Sequence, residues 1–122
     1  MRLAVEGKAG HAAFAGRDKA SAILELAHKT LAIEAMNQPE KGISANVGLI
    51  EGGIGPNTVA QHARAAVDFR YLEPGDDEQI KAGLEKIVSC QTIAGTRTSC
   101  REPRRLPTRF ASSLVGDRPM RS

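Results

Sequence analysis

The sequence predicts an α+β fold: a two-layer βαββαβ sandwich with a four-stranded antiparallel sheet and two helices on one face. Two kinds of observation predict it. Apolar residues recur at helical spacing between residues 20 and 35 and again between 80 and 88, whereas residues 43–51 and 63–70 alternate apolar and polar side chains. A period near 3.6 marks an amphipathic helix, and a period of two marks a strand with one wet face. Strands and helices interleaved in this way bury their apolar sides against each other in two layers.

The elements follow in order. Met1 to Glu6 alternates weakly and reads as a first strand, running into the tight loop Gly7-Lys8-Ala9-Gly10-His11. Asp18 is placed to cap the first helix, because its carboxylate can accept from free amides of the first turn. Ala20, Ile23, Leu24, Ala27, Leu31 and Ala35 form the helix's apolar stripe, taken as its inner face, and Asn37 and Pro39 end it. In the next strand Ile43, Ala45, Val47 and Leu49 alternate with polar or small residues. The loop Gly52-Gly53-Ile54-Gly55-Pro56-Asn57 follows. Ala63, Ala65, Val67 and Phe69 alternate against Arg64, Ala66, Asp68 and Arg70 in a third strand. Pro74-Gly75 makes a turn, and Asp76, Asp77 and Glu78 open a second helix where the helix dipole favours acids. Ile80, Leu84, Ile87 and Val88 supply its apolar face. Thr92–Thr98 is the one segment left for a fourth strand, which would complete a ferredoxin-like order.

The net charge of +3 is unevenly distributed. Residues 1–96 carry ten Lys and Arg against twelve Asp and Glu, whereas residues 97–122 carry seven Arg against two acids. A domain boundary is therefore expected at residue 98, with 1–98 folded and 99–122 an Arg- and Pro-rich tail, disordered or loosely attached. The abrupt change of composition fits a frameshifted or truncated reading of a longer gene. Basicity confined to a tail beside an acidic body, without interleaved aromatics, argues against nucleic-acid binding. No segment reaches the roughly 20 apolar residues of a membrane span, and Glu6 and Gly7 come too early for a signal peptide. A cytoplasmic location is expected. Cys90 and Cys100, ten residues apart and outside any CxxC spacing, read as free thiols.

Few residues carry chemistry. A catalytic zinc needs about three converging ligands, and none of His11, His28 and His62 has a partner at metal-binding spacing, so no metal site is expected in the chain. His28 and His62 read as surface or boundary residues. His11, behind its flexible cationic loop, can stabilise a developing oxyanion. Arg70, at the end of an amphipathic strand, can clamp a carboxylate with two parallel bonds. Asn57 ends a glycine loop that leaves its amide uncrowded. Loop His, turn Asn and solvated strand Arg are the plain structural alternatives for the three.

Together these segments resemble a known family. Gly7-Lys8-Ala9-Gly10-His11-Ala12 is similar to the G-K-x-x-H-A segment that opens the lid of M20-type zinc peptidases and deacylases. Asn46-Val47-Gly48-Leu49-Ile50-Glu51-Gly52-Gly53 is similar to its N-V-G-x-I-x-G-G strand and loop, Asn57-Thr58-Val59 to its N-x-V/I segment, and Val67-Asp68-Phe69-Arg70 to its D-x-R strand. Ala60 stands where the family often has proline. The resemblance implies a dimerisation (lid) domain that pairs with a second copy through a strand edge and the adjacent helix. It implies that His11 acts in trans on the scissile carbonyl, and that Asn57 and Arg70 bind the substrate's carboxylate. The zinc and its ligands would lie in a catalytic domain outside this chain. The substrate would be a peptide or N-acyl amino acid, and the chain alone would be inactive. A stand-alone α+β interaction or ligand-binding module is the alternative.

Overall fold

The computed structural model describes residues 1–11 and 19–101, and the expected elements are present there in the expected order. Strand β1 (Arg2–Glu6) is followed by β2 (Gly10–His11), α1 (Ala22–Glu34), β3 (Ser44–Gly52), β4 (Thr58–Val59), β5 (His62–Arg70), α2 (Asp76–Ser89) and β6 (Arg97–Arg101). The main sheet has the order β3-β5-β1-β6, with every neighbouring pair antiparallel. Both helices contribute to the core on one face, so the fold is the α+β two-layer sandwich. Leu3 and Val5 of β1 and Ala63, Ala65, Val67 and Phe69 of β5 meet Ala22, Leu26 and Ile33 of α1 and Ile80 and Leu84 of α2. With so few aromatics, Phe69 is the largest fully buried side chain among the described residues.

Four details differ from the expectation. Helix α1 starts at Ala22, capped by the Ser21 hydroxyl, which accepts from the Leu24 amide at 3.2 Å; Asp18 lies outside the described residues. Its buried face is also not the apolar stripe. Ile23, Leu24, Ala27, Leu31 and Ala35 all point outward, with Leu31 71% exposed. The inner face is Ala22, Glu25, Leu26, Lys29 and Ile33. At 100° per residue, Leu31 and Ile33 sit on nearly opposite sides of the helix. In β3, a bulge between Val47 and Leu49 breaks the alternation. Leu49 then pairs with Ala66, a residue of the open sheet face, and Ile50 with Ala65 of the helix face.

The fourth difference is the last strand. It runs Arg97–Arg101 rather than Thr92–Thr98, and its whole length pairs with β1, from Glu6↔Arg97 to Arg2↔Arg101. Residues 99–101 therefore belong to the folded sheet and not to a loose tail. Residues 102–122, the rest of that tail, lie outside the described residues.

The buried polar pair on α1 has a definite partner. Glu25 is fully buried and Lys29 is 2% exposed. The Lys29 ammonium donates to Glu25 Oε2 and to the Cys90 carbonyl, each at 2.5 Å. Glu25 Oε1 accepts from the amides of Thr92 and Ile93 at 3.0 and 2.6 Å. The pair thus fastens the α2–β6 connection to α1 and satisfies polar groups that burial would otherwise leave costly.

Candidate functional site

The glycine-rich segments bring two distant loops together. The Gly7 amide donates to the Gln61 carbonyl at 2.8 Å, and the Lys8 amide to the Ala20 carbonyl at 2.9 Å. A side chain at Gly7 would place its Cβ 2.1 Å from the Ala20 oxygen, so only glycine permits this approach. The chain then enters β2, where Gly10 pairs with Val59 and His11 with Thr58. This small second sheet was not expected from the sequence. It sets the backbone of His11 directly across from the residue that follows Asn57. On the other side of the loop, Gly53 takes φ +80°, a left-handed conformation that suits glycine, and its amide donates to the His62 carbonyl at 3.2 Å. Asn57 is exposed.

Arg70 is elsewhere. It closes β5 opposite Ser44, whereas the β2–β4 unit adjoins the His62 end of the same strand. Eight residue steps of roughly 3.3 Å put the two ends about 26 Å apart. Arg70 Nε is held by Asp68 Oδ2 at 2.9 Å on the same strand, which orients its guanidinium along the sheet. The structure therefore brings together the backbones at His11 and Asn57, and it does not bring Arg70 to them within one chain. Within one copy, Arg70 stands at the far end of the nine-residue strand β5 from the β2–β4 unit beside Asn57. His28 and His62 are both exposed.

The described residues hold no group of three His, Cys, Asp or Glu side chains that could bind a metal ion. Among the described residues, the one clearly displaced titration is that of Glu25. Burial pushes its carboxyl up, but the Lys29 ammonium and the amides of Ile93 and Thr92 outweigh that and hold it below its ordinary value. Sequence reasoning missed this pair: a Glu and a Lys four apart on a helix ordinarily signal a solvated face. No helix among the described residues is long and apolar enough to cross a membrane.

Comparison with known proteins places the chain. The sequence profile of the M20 peptidase dimerisation domain matches residues 1–95, and the chain belongs to that family. N-acetyldiaminopimelate deacetylase of Bacillus licheniformis is 35% identical over 89 residues, covering 70% of this chain but 24% of that protein. The enzyme of the same name from a Geobacillus strain is 33% identical over 88 residues, covering 70% and 23%. Among solved structures, aminopeptidase PepT of Bacillus cereus superposes with a TM-score of 0.66 at 27% identity, over 80% of this chain and 26% of that one. A hydantoinase/carbamoylase-family amidase of Burkholderia multivorans shares the fold, with a TM-score of 0.70 at 19% identity over 80% and 25% of the two chains. The chain thus spans about a quarter of the length of the relatives it matches.

Proposed function

We propose that this chain is the dimerisation and lid part of a longer zinc-dependent peptidase or N-acyl-amino-acid amidohydrolase, and that its own activity is to pair with a second copy. The observation that carries this reading is the apolar outer face of α1, where Ile23, Leu24 and Leu31 are 44%, 40% and 71% exposed. This helix packs against β3, an outer strand of the main sheet, on which Ile50 is 52% exposed. An outer strand beside an uncovered apolar helix face is the arrangement a symmetric partner would cover. The two deacetylase relatives favour an N-acylated amino acid bearing a carboxylate as the substrate of the whole protein.

Pairing also accounts for the separation of the site residues. Across a two-fold axis, β3 of one copy runs antiparallel to β3 of the other, so the Ser44 end of one lies beside the Gly52 end of its partner. Arg70 shares the Ser44 end, and His11 and Asn57 share the Gly52 end. A complete set then draws Arg70 from one copy and His11 and Asn57 from the other. In that set Arg70 clamps the substrate carboxylate, Asn57 donates to it, and His11 polarises the scissile carbonyl in trans.

Sedimentation equilibrium of the chain and of its Leu31→Glu variant tests the reading. The parent should sediment as a homodimer. The variant should sediment as a monomer with nearly unchanged stability, since Leu31 contributes little to the core of one copy. A parent that remains monomeric as concentration is raised would overturn the proposal and favour a stand-alone ligand-binding module. The chain with added zinc should not hydrolyse N-acetyl amino acids, and zinc-dependent turnover would equally count against it.

A further inference from the structure

We propose that the open face of the sheet, the one without helices, carries a binding site for a small oxyanion, a carboxylate or a phosphate. Side chains on this face stand in cross-strand rows. One row runs Leu49–Ala66–Arg2–Arg101 and the next Glu51–Arg64–Ala4–Ser99, from β3 across to β6. Among the described residues the face carries five arginines, and three of them have a carboxylate partner. Arg64 is bonded to Glu51, Arg70 to Asp68, and Arg97 lies 3.7 Å from Glu6. Arg2 and Arg101 differ. They are direct cross-strand partners, both exposed, and neither has an ion-pair or side-chain hydrogen-bond partner among the described residues.

Like charges directly opposite each other in a sheet destabilise it. A bound anion between the two would turn that repulsion into attraction, because each guanidinium presents a planar fork of donors that matches an oxyanion. The space for one is there. A cavity of about 330 Å³ lies over these rows, and its walls include Arg2, Arg101, Ser99 and Leu49 together with Glu51, whose carboxylate is already bonded to Arg64. That volume lies near the lower end of the range of small-molecule sites. The small residue Ala4 lines the same cavity, so the arginines stand above its floor. The bulge after Val47 is what turns Leu49 onto this face, giving the cavity one apolar wall and suiting it to an anion with a short apolar body. The site lies on the opposite face of the sheet from α1 and uses neither His11 nor Asn57, so it stands or falls apart from the dimer reading.

Thermal melts of the full chain at fixed ionic strength, in chloride, inorganic phosphate or butyrate, test the site. Phosphate or butyrate should raise the Tm saturably and chloride should not, and whichever of the two acts at lower concentration identifies the head group. Arg2→Gln and Arg101→Gln should each weaken that response about tenfold or more, the cost of one charged bidentate contact. Arg97→Gln should leave it intact. In chloride, both cavity variants should melt no lower than the parent, because removing one cation relieves the cross-strand repulsion; a merely structural arginine would lower the melt. Equal shifts in all three salts, no shift in any, or a response that survives both cavity variants would overturn the site and leave only screening of the chain's arginines.

Discussion

Replacing Glu25 with glutamine should cost this domain about 3 kcal/mol, a large share of the 5–15 kcal/mol typical of a domain. Three groups converge on the Glu25 carboxylate: the Lys29 ammonium at 2.5 Å and the amides of Ile93 and Thr92 at 2.6 and 3.0 Å. Glutamine keeps one oxygen, enough for the amides, but turns an NH2 group toward the ammonium. Lys29 is then a buried cation held by the Cys90 carbonyl without its counter-charge. Removing one partner of a buried pair costs about 3–5 kcal/mol, chiefly through the charge left behind. The retained acceptor places the glutamine variant at the low end of that range, and alanine should lie at the high end. About 3 kcal/mol corresponds to a Tm lower by roughly 12–24 °C for a domain of this size. The double variant Glu25→Gln/Lys29→Met removes the stranded charge and should recover at least half of the loss. Chemical denaturation of the four proteins gives the coupling directly. A loss under about 1 kcal/mol for Glu25→Gln, or additive single effects, would refute the buried-latch argument. The pH dependence has a definite sign. Because the folded-state carboxyl titrates below its ordinary value near 4.5, its contribution is present above that value and is lost as pH falls through the folded-state titration. Parent and Glu25→Gln stabilities should therefore converge on acidification and stay apart at neutral pH.

Two further substitutions test the local architecture. Ser21→Ala removes the hydroxyl that accepts from the Leu24 amide and should cost about 1 kcal/mol in urea denaturation; no loss would mean that the helix is capped elsewhere. Gly7→Ala puts a methyl group against the Ala20 carbonyl and should cost about 1–3 kcal/mol through forced backbone movement, with faster hydrogen exchange at the amides of Gly10 and His11 as the β2–β4 pairing loosens.

Much of the fold was legible because its signals were local. The acids at Asp76, Asp77 and Glu78 and the apolar set led by Ile80 and Leu84 marked α2 within a residue or two. The alternation from Ala63 to Phe69 marked β5 with its buried face correct. What was not legible depended on partners far along the chain. The pairing of β2 with β4 joins two residues to two others and leaves no periodic trace. The strand Arg97–Arg101 has polar residues or cysteine at every position, because it is an outer strand packed on one side only. The bulge after Val47 reverses the facing of Leu49, which strict alternation had assigned to the core. The candidate residues His11, Asn57 and Arg70 stood out as motifs, yet their separation did not, since spacing along a sequence does not say which end of a sheet a loop rejoins.

The error in the phase of α1 is the most informative of these. Hydrophobic periodicity finds the face of a helix that avoids water, and in a monomeric domain that face is the core. Here the most apolar stripe, Ile23, Leu24, Ala27 and Leu31, is turned outward, while a Glu and a Lys occupy the inward one. A helix tolerates that inversion only if both demands are met at once. The inward charges must find partners, and the Cys90–Ile93 connection supplies them. The outward apolar side chains must also be covered, and within one chain nothing described covers Leu31. The buried ion pair and the exposed stripe thus go together, since the helix turns its better apolar face away from the core of its own chain. If a second copy of the chain supplies that surface, Leu31→Glu will separate association from folding, whereas Glu25→Gln will weaken folding first and association only through it.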